Sequence, residues 1–218
     1  MEFVYKHSIM HKAALKHLHK NDPVMRRLIK AHEPYALKPD PLRSPFEALV
    51  HAVAHQQLNG TAANTILRRF LAHFPGKRFP LAEDLATIKD EQIRAAGFSR
   101  NKILAIRDIA EKTISGVVPS ARKIVHLEDD EIVERLTAVR GVGRWTVEML
   151  LIFKLGRPDV LPVDDFGVRN GFMIAYKKRE MPKPKELLEF GECWRPHRTA
   201  AAWYLWRAAD NAKKKKKK

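Results

Sequence analysis

Two adjacent carboxylates, Asp164 and Asp165, stand in the stretch "LPVDDFG", just before a predicted helix. Carboxylates at a helix start often cap the first backbone amides. A carboxylate can also stabilise the positive charge that develops on a sugar when a glycosidic bond breaks, and it can orient or deprotonate the attacking water. The residue types alone leave both roles open, and capping is the more frequent one.

A glycine turn lies upstream of these acids, in the stretch "VRGVGRWTVEML". Gly141 and Gly143 can adopt positive φ angles and allow another backbone to approach closely. The turn amides and the start of the following helix then form an anion site suited to a phosphate, which Arg144 can reinforce. The alternative is an ordinary glycine C-cap between two packed helices.

The charge of the chain favours a polyanionic partner. The formal net charge is +16, and it remains +10 without the six C-terminal lysines, which we predict to be a disordered tail over residues 213–218. A folded body this basic is attracted to polyanions, of which nucleic acid is the commonest inside cells. A basic protein without a nucleic-acid partner remains the alternative.

Composition excludes several classes of protein. No apolar run reaches the roughly 18 residues that a membrane span needs, so we expect no membrane association. The single cysteine, Cys193, excludes an internal disulfide and any cysteine-held zinc or iron–sulfur site, and it fits an intracellular compartment. His51 and His55 have the i,i+4 spacing of a metal pair, but no third ligand is evident, and we expect no metal.

The elements that must position these residues are helices. Apolar residues recur mostly at helical spacing and strand-like alternation is scarce, so we predict an all-α fold. Ser44 and Pro45 mark one helix start, Pro23 breaks another segment in two, and Gly97 followed by Ser99 marks a stop and a new start. The predicted helical segments are 13–32, 44–58, 64–74, 81–88, 90–97, 99–114, 128–139, 143–155, 165–176, 184–194 and 198–211.

The sequence resembles a known family at six ordered places. "LTAVRGVGRWTVEML" with "LPVDDFGVRNGF" is similar to the signature of the helix-hairpin-helix DNA glycosylases, and specifically of the AlkA-like 3-methyladenine DNA glycosylases. The segments "HLHKNDPVMRRLI", "PFEALVHAVAHQQL", "GFSRNKILAIRDIA" and "RPHRTAAAWYLWRA" agree with it. The resemblance implies two helical lobes with the active cleft between them. Residues 1–44 and 161–212 would form one lobe, and residues 45–160, which include the hairpin, the other.

The resemblance implies that Asp165 is the catalyst. Asp164, between "LPV" and "DFGVRN", stands where the N-cap of the following helix is expected. It also implies that DNA phosphate is bound by the hairpin residues Gly141, Val142, Gly143, Arg144 and Thr146. Members that cut the DNA backbone carry a nucleophilic lysine where this chain has Trp145. Arg144 cannot replace that amine because it stays protonated. The chain should therefore use water and stop at an abasic site.

The expected base pocket is aromatic. Trp145 can stack on a purine that methylation has made cationic, although packing in the core is its alternative role. Trp206 matches the family's second pocket aromatic, whereas Trp203 is expected to be core. Met149 stands where some relatives have a pocket tyrosine, which is a departure from the family pattern.

The resemblance places an intercalating wedge after the helix "FEALVHAVAH". Gln57 aligns best with the inserted residue and Leu58 lies beside it; a polar helix end is the alternative. Further candidate phosphate contacts, each of which could equally be a solvated surface charge, are Arg100, Lys102, Arg195 and Arg198.

Together these features predict a monomeric, monofunctional glycosylase that removes alkylated purines of the 3-methyladenine and 7-methylguanine type from double-stranded DNA. It would need no cofactor, although hairpin carbonyls are compatible with a bound monovalent cation. It would work in the bacterial cytoplasm at the nucleoid, or in a eukaryotic nucleus. The alternatives are a non-catalytic hairpin protein that binds damaged DNA, and a bifunctional glycosylase/lyase for oxidised bases.

Overall fold

The computed structural model describes residues 2–32, 34–40 and 42–215, with side chains described from residue 11 to residue 214 within these ranges. The described residues form α-helices and contain no β-strand, which confirms the all-α prediction. The helices are α1 Glu2–Asn21, α2 Pro23–Ala31, α3 Pro45–His55, α4 Gly60–Leu71, α5 Asp90–Ala96, α6 Arg100–Ile114, α7 Ala121–Ile124, α8 Asp129–Thr137, α9 Arg144–Leu150, α10 Phe166–Ala175, α11 Pro184–Phe190 and α12 Arg198–Lys215.

The helix boundaries that rest on capping chemistry are confirmed. The Ser44 hydroxyl accepts a hydrogen bond from the Glu47 amide at the start of α3, with Pro45 at the first position. Gly97 ends α5 with a φ of 115°, and the Ser99 hydroxyl caps α6. Pro23 separates α1 from α2 as predicted.

Several segments depart from the predicted helices. Residues 81–88 contain only the 3₁₀ turn Glu83–Ala86 instead of the predicted helix. Helix α9 passes into the π-helical segment Leu151–Leu155, and α11 passes into the 3₁₀ turn Gly191–Trp194. The short helix α7 was not predicted.

The chain divides into two compact units. One comprises Met1–Pro39 and Gly156–Lys218 and holds α1, α2 and α10 to α12; the other is Asp40–Leu155 and holds α3 to α9. These boundaries lie five residues before those we predicted at 44/45 and 160/161. The prediction of a disordered tail over residues 213–218 is wrong for its first residues, because α12 continues to Lys215. Lysine is a good helix former, so the helix can extend into the lysine run. Residues 216–218 lie outside the described residues.

The core of the Asp40–Leu155 unit is built around α3. Its side chains Leu49, Val50 and Val53 are completely buried, and the helix contacts α4, α6 and α9. A helix that is apolar on most of its circumference must be enclosed by neighbours. Helix α3 therefore carries the segment that follows it, residues 56–59, on a rigid base.

The core of the other unit contains a buried carboxylate. Asp22 is 3% exposed, and its Oδ1 accepts from the Val24 and Met25 amides at the start of α2. Its Oδ2 accepts from the fully buried Trp194 indole at 2.8 Å and from the Tyr176 hydroxyl. Because a buried carboxylate is costly unless its oxygens are satisfied, these contacts hold three separate segments together.

No helix among the described residues is both long enough and apolar enough to cross a membrane.

The stability of the protein should fall as the pH drops from 6.5 towards 4, in part because of His51. Burial, with Arg43 nearby, lowers the pKa of His51 to about 4, so between these values the unfolded chain binds a proton that the native state does not. We expect His51→Phe, which keeps the ring contact with Phe79, to reduce the loss between about pH 7 and pH 5 by about 1 to 2 kcal/mol. Urea unfolding at both pH values measures this, and parallel losses in the two proteins would contradict it.

Candidate active site

Asp165 is held at the start of α10 by two hydrogen bonds to one oxygen. Its Oδ1 accepts from the Val168 amide at 2.8 Å, which caps the helix, and from the Trp206 indole Nε1 on α12, also at 2.8 Å. The Asp165 amide donates to the Pro162 carbonyl and so closes the preceding turn. Because backbone, cap and indole all act on one residue, the position and rotamer of this carboxylate are fixed.

The approach of the indole to Asp165 depends on a missing side chain. A Cβ at Gly167 would lie 2.8 Å from Trp206 Cδ1 and 3.0 Å from Asp165 Oδ1. One turn later, a Cβ at Gly171 would collide with the Leu205 carbonyl. Helix α10 thus presents a glycine face to α12, and this close packing brings Trp206 within hydrogen-bond distance of the carboxylate.

The assignment of the helix cap was wrong. Asp164 was predicted to cap α10, but Asp165 is the N-cap and Asp164 is exposed. The turn closed by the Pro162 carbonyl shifts the helix start by one residue. Asp165 therefore combines the capping geometry with the position predicted for the catalyst.

The hairpin turn, which we define as residues 139–143, joins α8 to α9. Gly141 has a φ of 72°, and a Cβ there would lie 2.7 Å from the Ala105 Cβ. Gly143 instead has an extended φ of −89° and is the N-cap of α9, so the expectation of positive φ holds for the first glycine only. Both glycines are exposed, and within the described part of the chain their amides donate to no other group.

Three other hairpin residues have different surroundings. Val142 is buried, and its amide donates to the Val139 carbonyl. Thr146, predicted to contact phosphate, is 1% exposed and donates its amide to the Gly143 carbonyl, so it supports the turn from inside and the prediction is corrected. Arg144 is exposed, and its Nε lies 3.2 Å from the buried Glu148 carboxylate, one helical turn away.

The predicted pocket residues lie in both units. Trp145 and Met149 are four residues apart on α9, hence on one face, and both are half-buried. Trp145 is thus not a fully enclosed core side chain. Trp206 is half-buried on α12 beside Asp165, whereas Trp203 is buried as expected.

The predicted wedge, Gln57 and Leu58, lies between α3 and α4. Gln57 is exposed and has a φ of 58°, the left-handed region that a residue with a Cβ enters at a cost of about 1 to 2 kcal/mol. Leu58 is 40% exposed, and its amide donates to the His55 carbonyl. The chain therefore presents an amide and an apolar side chain to the surface on a strained turn.

Of the four additional phosphate candidates, Arg100 and Arg195 are exposed, Lys102 is half-buried and Arg198 is buried. Lys102 donates to the carbonyls of Ala54 and Gln56, both at 2.9 Å. Arg195 and Arg198 both bind Asp159, each at 2.8 Å, and Arg198 is buried. Arg198 is therefore a buried structural residue, which corrects its interpretation as a phosphate contact, whereas Arg195 is exposed and stays a candidate.

Sequence reasoning missed two residues that shape these sites. Gly167, the second residue of α10, was not singled out, although a glycine inside a helical pattern can signal close packing. Gln56 was not assigned a role from the sequence, yet its side-chain amide donates to the Gly141 carbonyl at 2.9 Å and the Thr146 hydroxyl at 3.0 Å. No local pattern marks a contact between residues 85 positions apart.

No group of three or more His, Cys, Asp or Glu side chains that could hold a metal ion occurs among the described residues. The His51 and His55 rings are 6.4 Å apart, and the His55 Nδ1 lies 2.8 Å from the His51 carbonyl.

Comparison with known proteins identifies the class to which this helical fold, with its glycine hairpin and fixed aspartate, belongs. Residues 50–196 match the family described as "HhH-GPD superfamily base excision DNA repair protein". The chain is 45% identical over 170 residues to DNA-3-methyladenine glycosylase 1 of Schizosaccharomyces pombe, covering 78% of this chain and 75% of that protein.

Two solved structures are similar over almost the whole chain. The 3-methyladenine DNA glycosylase of Schizosaccharomyces pombe in complex with abasic DNA has a TM-score of 0.84 and 42% identity, covering 89% of this chain and 95% of that one. A DNA-3-methyladenine glycosidase from Bacillus halodurans has a TM-score of 0.78 and 34% identity, covering 92% and 91%. The chain therefore belongs to the HhH-GPD superfamily of base excision DNA repair proteins.

The hairpin turn should tolerate a side chain at one glycine and not at the other. Gly141→Ala forces an alanine into the left-handed conformation and places its Cβ against Ala105. We expect this variant to lower the free energy of unfolding by about 1 to 3 kcal/mol. Gly143→Ser is the control, because its φ suits serine, its Cβ has no neighbour within 4 Å and serine is a good N-cap. Urea unfolding compares them, and equal losses would contradict this account of the turn.

Proposed function

We propose that this protein is a monofunctional DNA glycosylase that hydrolyses the N-glycosidic bond of alkylated purines in duplex DNA and so initiates base excision repair. The observation that carries the proposal is the Asp165 carboxylate, which its own helix and the Trp206 indole hold in one rotamer. Membership of the superfamily and the names of the similar proteins support the reaction class and the substrate.

Asp165 would act on the sugar. As the bond between C1′ and the purine nitrogen breaks, its electron pair leaves with the base and positive charge develops on the deoxyribose. A fixed carboxylate stabilises that charge without reorganising, and it can accept a proton from the water that attacks C1′. Trp206 would position this carboxylate through its hydrogen bond to Oδ1.

A cationic base explains how a single acid could suffice. A purine methylated at N3 or N7 carries positive charge, so the departing electron pair neutralises it and no general acid is needed. Indole faces attract flat cationic rings. We assign this stacking role to Trp145, with Met149 on the same face of α9 and Trp206 as the second aromatic.

Water, not an amine, would be the nucleophile. The residue at the hairpin position of a lyase lysine is Trp145, and the neighbouring Arg144 is paired with Glu148 and remains protonated. The products would be the free base and an intact strand with an abasic site. As proposed, the reaction needs water and one carboxylate but no organic cofactor; a monovalent cation at the hairpin carbonyls would be compatible with it.

The hairpin turn would bind the DNA backbone. The amides of Gly141 and Gly143 are exposed and donate to no other described group, and the net charge of +16 favours a phosphate partner. Such contacts are independent of sequence and suit an enzyme that searches for damage. Gln57 and Leu58 would fill the space that the extruded nucleotide leaves.

We further propose that the protein works as a monomer on one duplex, because each role above is filled by a residue of a single chain. It would work where the genome is: at the bacterial nucleoid or in a eukaryotic nucleus.

Asp165→Asn should separate chemistry from folding. Asparagine caps helices as well as aspartate does and can accept both hydrogen bonds, so we expect an unchanged melting temperature and unchanged affinity for duplex DNA. The release of 3-methyladenine and 7-methylguanine from methylated duplex, measured by chromatography, should fall by at least about 100-fold.

The control is Asp164→Asn, which removes the neighbouring exposed carboxylate and should release both bases at the wild-type rate. Equal activity of the two variants, or absence of base release by the wild-type protein, would contradict the proposed function. In the latter case, retained binding to damaged duplex would identify a non-catalytic DNA-binding protein.

Borohydride should trap no covalent complex between this protein and methylated DNA. An amine nucleophile would form a Schiff base that borohydride reduces to a stable adduct, whereas hydrolysis by water leaves no covalent bond between protein and DNA. Denaturing electrophoresis after complete base release measures this, and in a parallel reaction without borohydride the abasic strand should stay uncut until alkali is added. An adduct would instead indicate a bifunctional glycosylase/lyase.

A further inference from the structure

Gln56 connects the segment that carries the wedge to the hairpin turn. It follows α3 directly, and its side-chain Nε2 donates to the Gly141 carbonyl at 2.9 Å and to the buried Thr146 hydroxyl at 3.0 Å. One amide group therefore fixes the carbonyl of the left-handed hairpin glycine and the first turn of α9. The next residue along the chain is Gln57 of the wedge.

Lys102 holds the same segment from the other side. Its Nζ donates to the main-chain carbonyls of Ala54 and Gln56, both at 2.9 Å. Carbonyls at the end of a helix have no partner within the helix, so a cation there satisfies them. Lys102 is half-buried, and this burial lowers the pKa of its ammonium group. Because two of its protons point into the protein, it is poorly placed to bind phosphate.

The contacts of Gln56 and Lys102 help to hold the strained backbone of Gln57. A left-handed residue with a Cβ returns to an ordinary conformation unless its neighbours hold it. The residue before it is fixed through its carbonyl by Lys102 and through its side chain by the hairpin turn. The strain at Gln57 and the position of the hairpin turn are thus linked through a single residue.

We propose that Gln56 and Lys102 are positioning residues that fix the wedge relative to the hairpin turn. When the hairpin turn binds a phosphate, the wedge is then already placed to enter the base stack. This inference rests on the proposed function, since it assumes that Gln57 and Leu58 enter the duplex. Neither positioning residue touches the base. Each acts through the residue beside it: Gln56 through Gln57, and Lys102 through Gln56.

The first test measures insertion of the wedge without base release. The probe is a duplex with 2-aminopurine next to a tetrahydrofuran abasic residue, since 2-aminopurine fluorescence rises when its stacking is disturbed. Gln56→Met keeps the side-chain length and removes both donors. We expect its fluorescence rise at saturating protein to fall to less than about half that of the wild type, while the affinity for undamaged duplex changes less than about threefold.

Three further variants are compared with Gln56→Met. Gln57→Ala removes the wedge side chain itself, and the double variant should lose no more fluorescence than Gln57→Ala alone if Gln56 acts through Gln57. Gln92→Met is the matched control, because that glutamine amide caps α5 and lies in the same unit; it should behave as the wild type. Additive losses, or a loss in Gln92→Met equal to that in Gln56→Met, would overturn the inference.

The second test uses base release. A wedge matters most when the lesion is paired, because a mismatched base is extruded at lower cost. With 7-methylguanine opposite cytosine, Gln56→Met should lower the single-turnover rate about tenfold; opposite an abasic residue, the loss should shrink to less than about threefold. Equal losses on both substrates would indicate a general structural defect and overturn the inference.

Lys102→Met tests the same link from the other side. Like Gln56→Met, it should lower the single-turnover rate more when 7-methylguanine lies opposite cytosine than when it lies opposite an abasic residue. The slope of log affinity against log salt should remain that of the wild type. A slope shallower by about 0.9 would instead identify Lys102 as a phosphate contact. If the wild type releases no methylated base but Gln56→Met still loses the fluorescence rise, the proposed function fails and the positioning role stands.

Discussion

The hydrogen bond from the Trp206 indole to the Asp165 carboxylate sets the constraints on the α10–α12 packing. The bond is 2.8 Å long and reaches the same oxygen that caps α10, so α12 must lie very close to the first turn of α10. Only a residue without a Cβ fits at 167, where a side chain would meet both partners, and Gly171 keeps the next turn equally close. The cap of α10, the close packing of α10 on α12 and the position of the Asp165 carboxylate therefore depend on the same contacts.

A catalytic acid that is also a helix cap has a physical advantage. A surface carboxylate samples several rotamers and must be ordered in the transition state, whereas Asp165 is already ordered in the folded protein. The hydrogen bonds that order it also stabilise α10, so the fold itself maintains the orientation. This ordered placement would suit the catalytic role that we propose for Asp165.

The sequence predicted what local chemistry determines. Proline and serine at 44–45, glycine and serine at 97–99, and the apolar spacing of α3 each act within a few residues, and these elements are confirmed. The sequence could not decide between Asp164 and Asp165 as the cap, because two equal acids differ only in the turn that precedes them. Likewise, "GVG" does not reveal that Gly141 alone is left-handed. The catalytic, pocket and wedge roles stay predictions.

Long-range contacts account for the rest. Gln56 and Gly141 are 85 residues apart, and the sequence around each residue contains no pattern that predicts their contact. Yet Gln56 links the two surface features whose spacing DNA would have to match: a turn with exposed amides and a strained segment with exposed side chains. If the segment moved freely, binding energy from the phosphate would be lost in ordering it. In the proposed mode of binding, a rigid link would let the same energy act on the stacked base, whose unstacking is the main cost of extrusion.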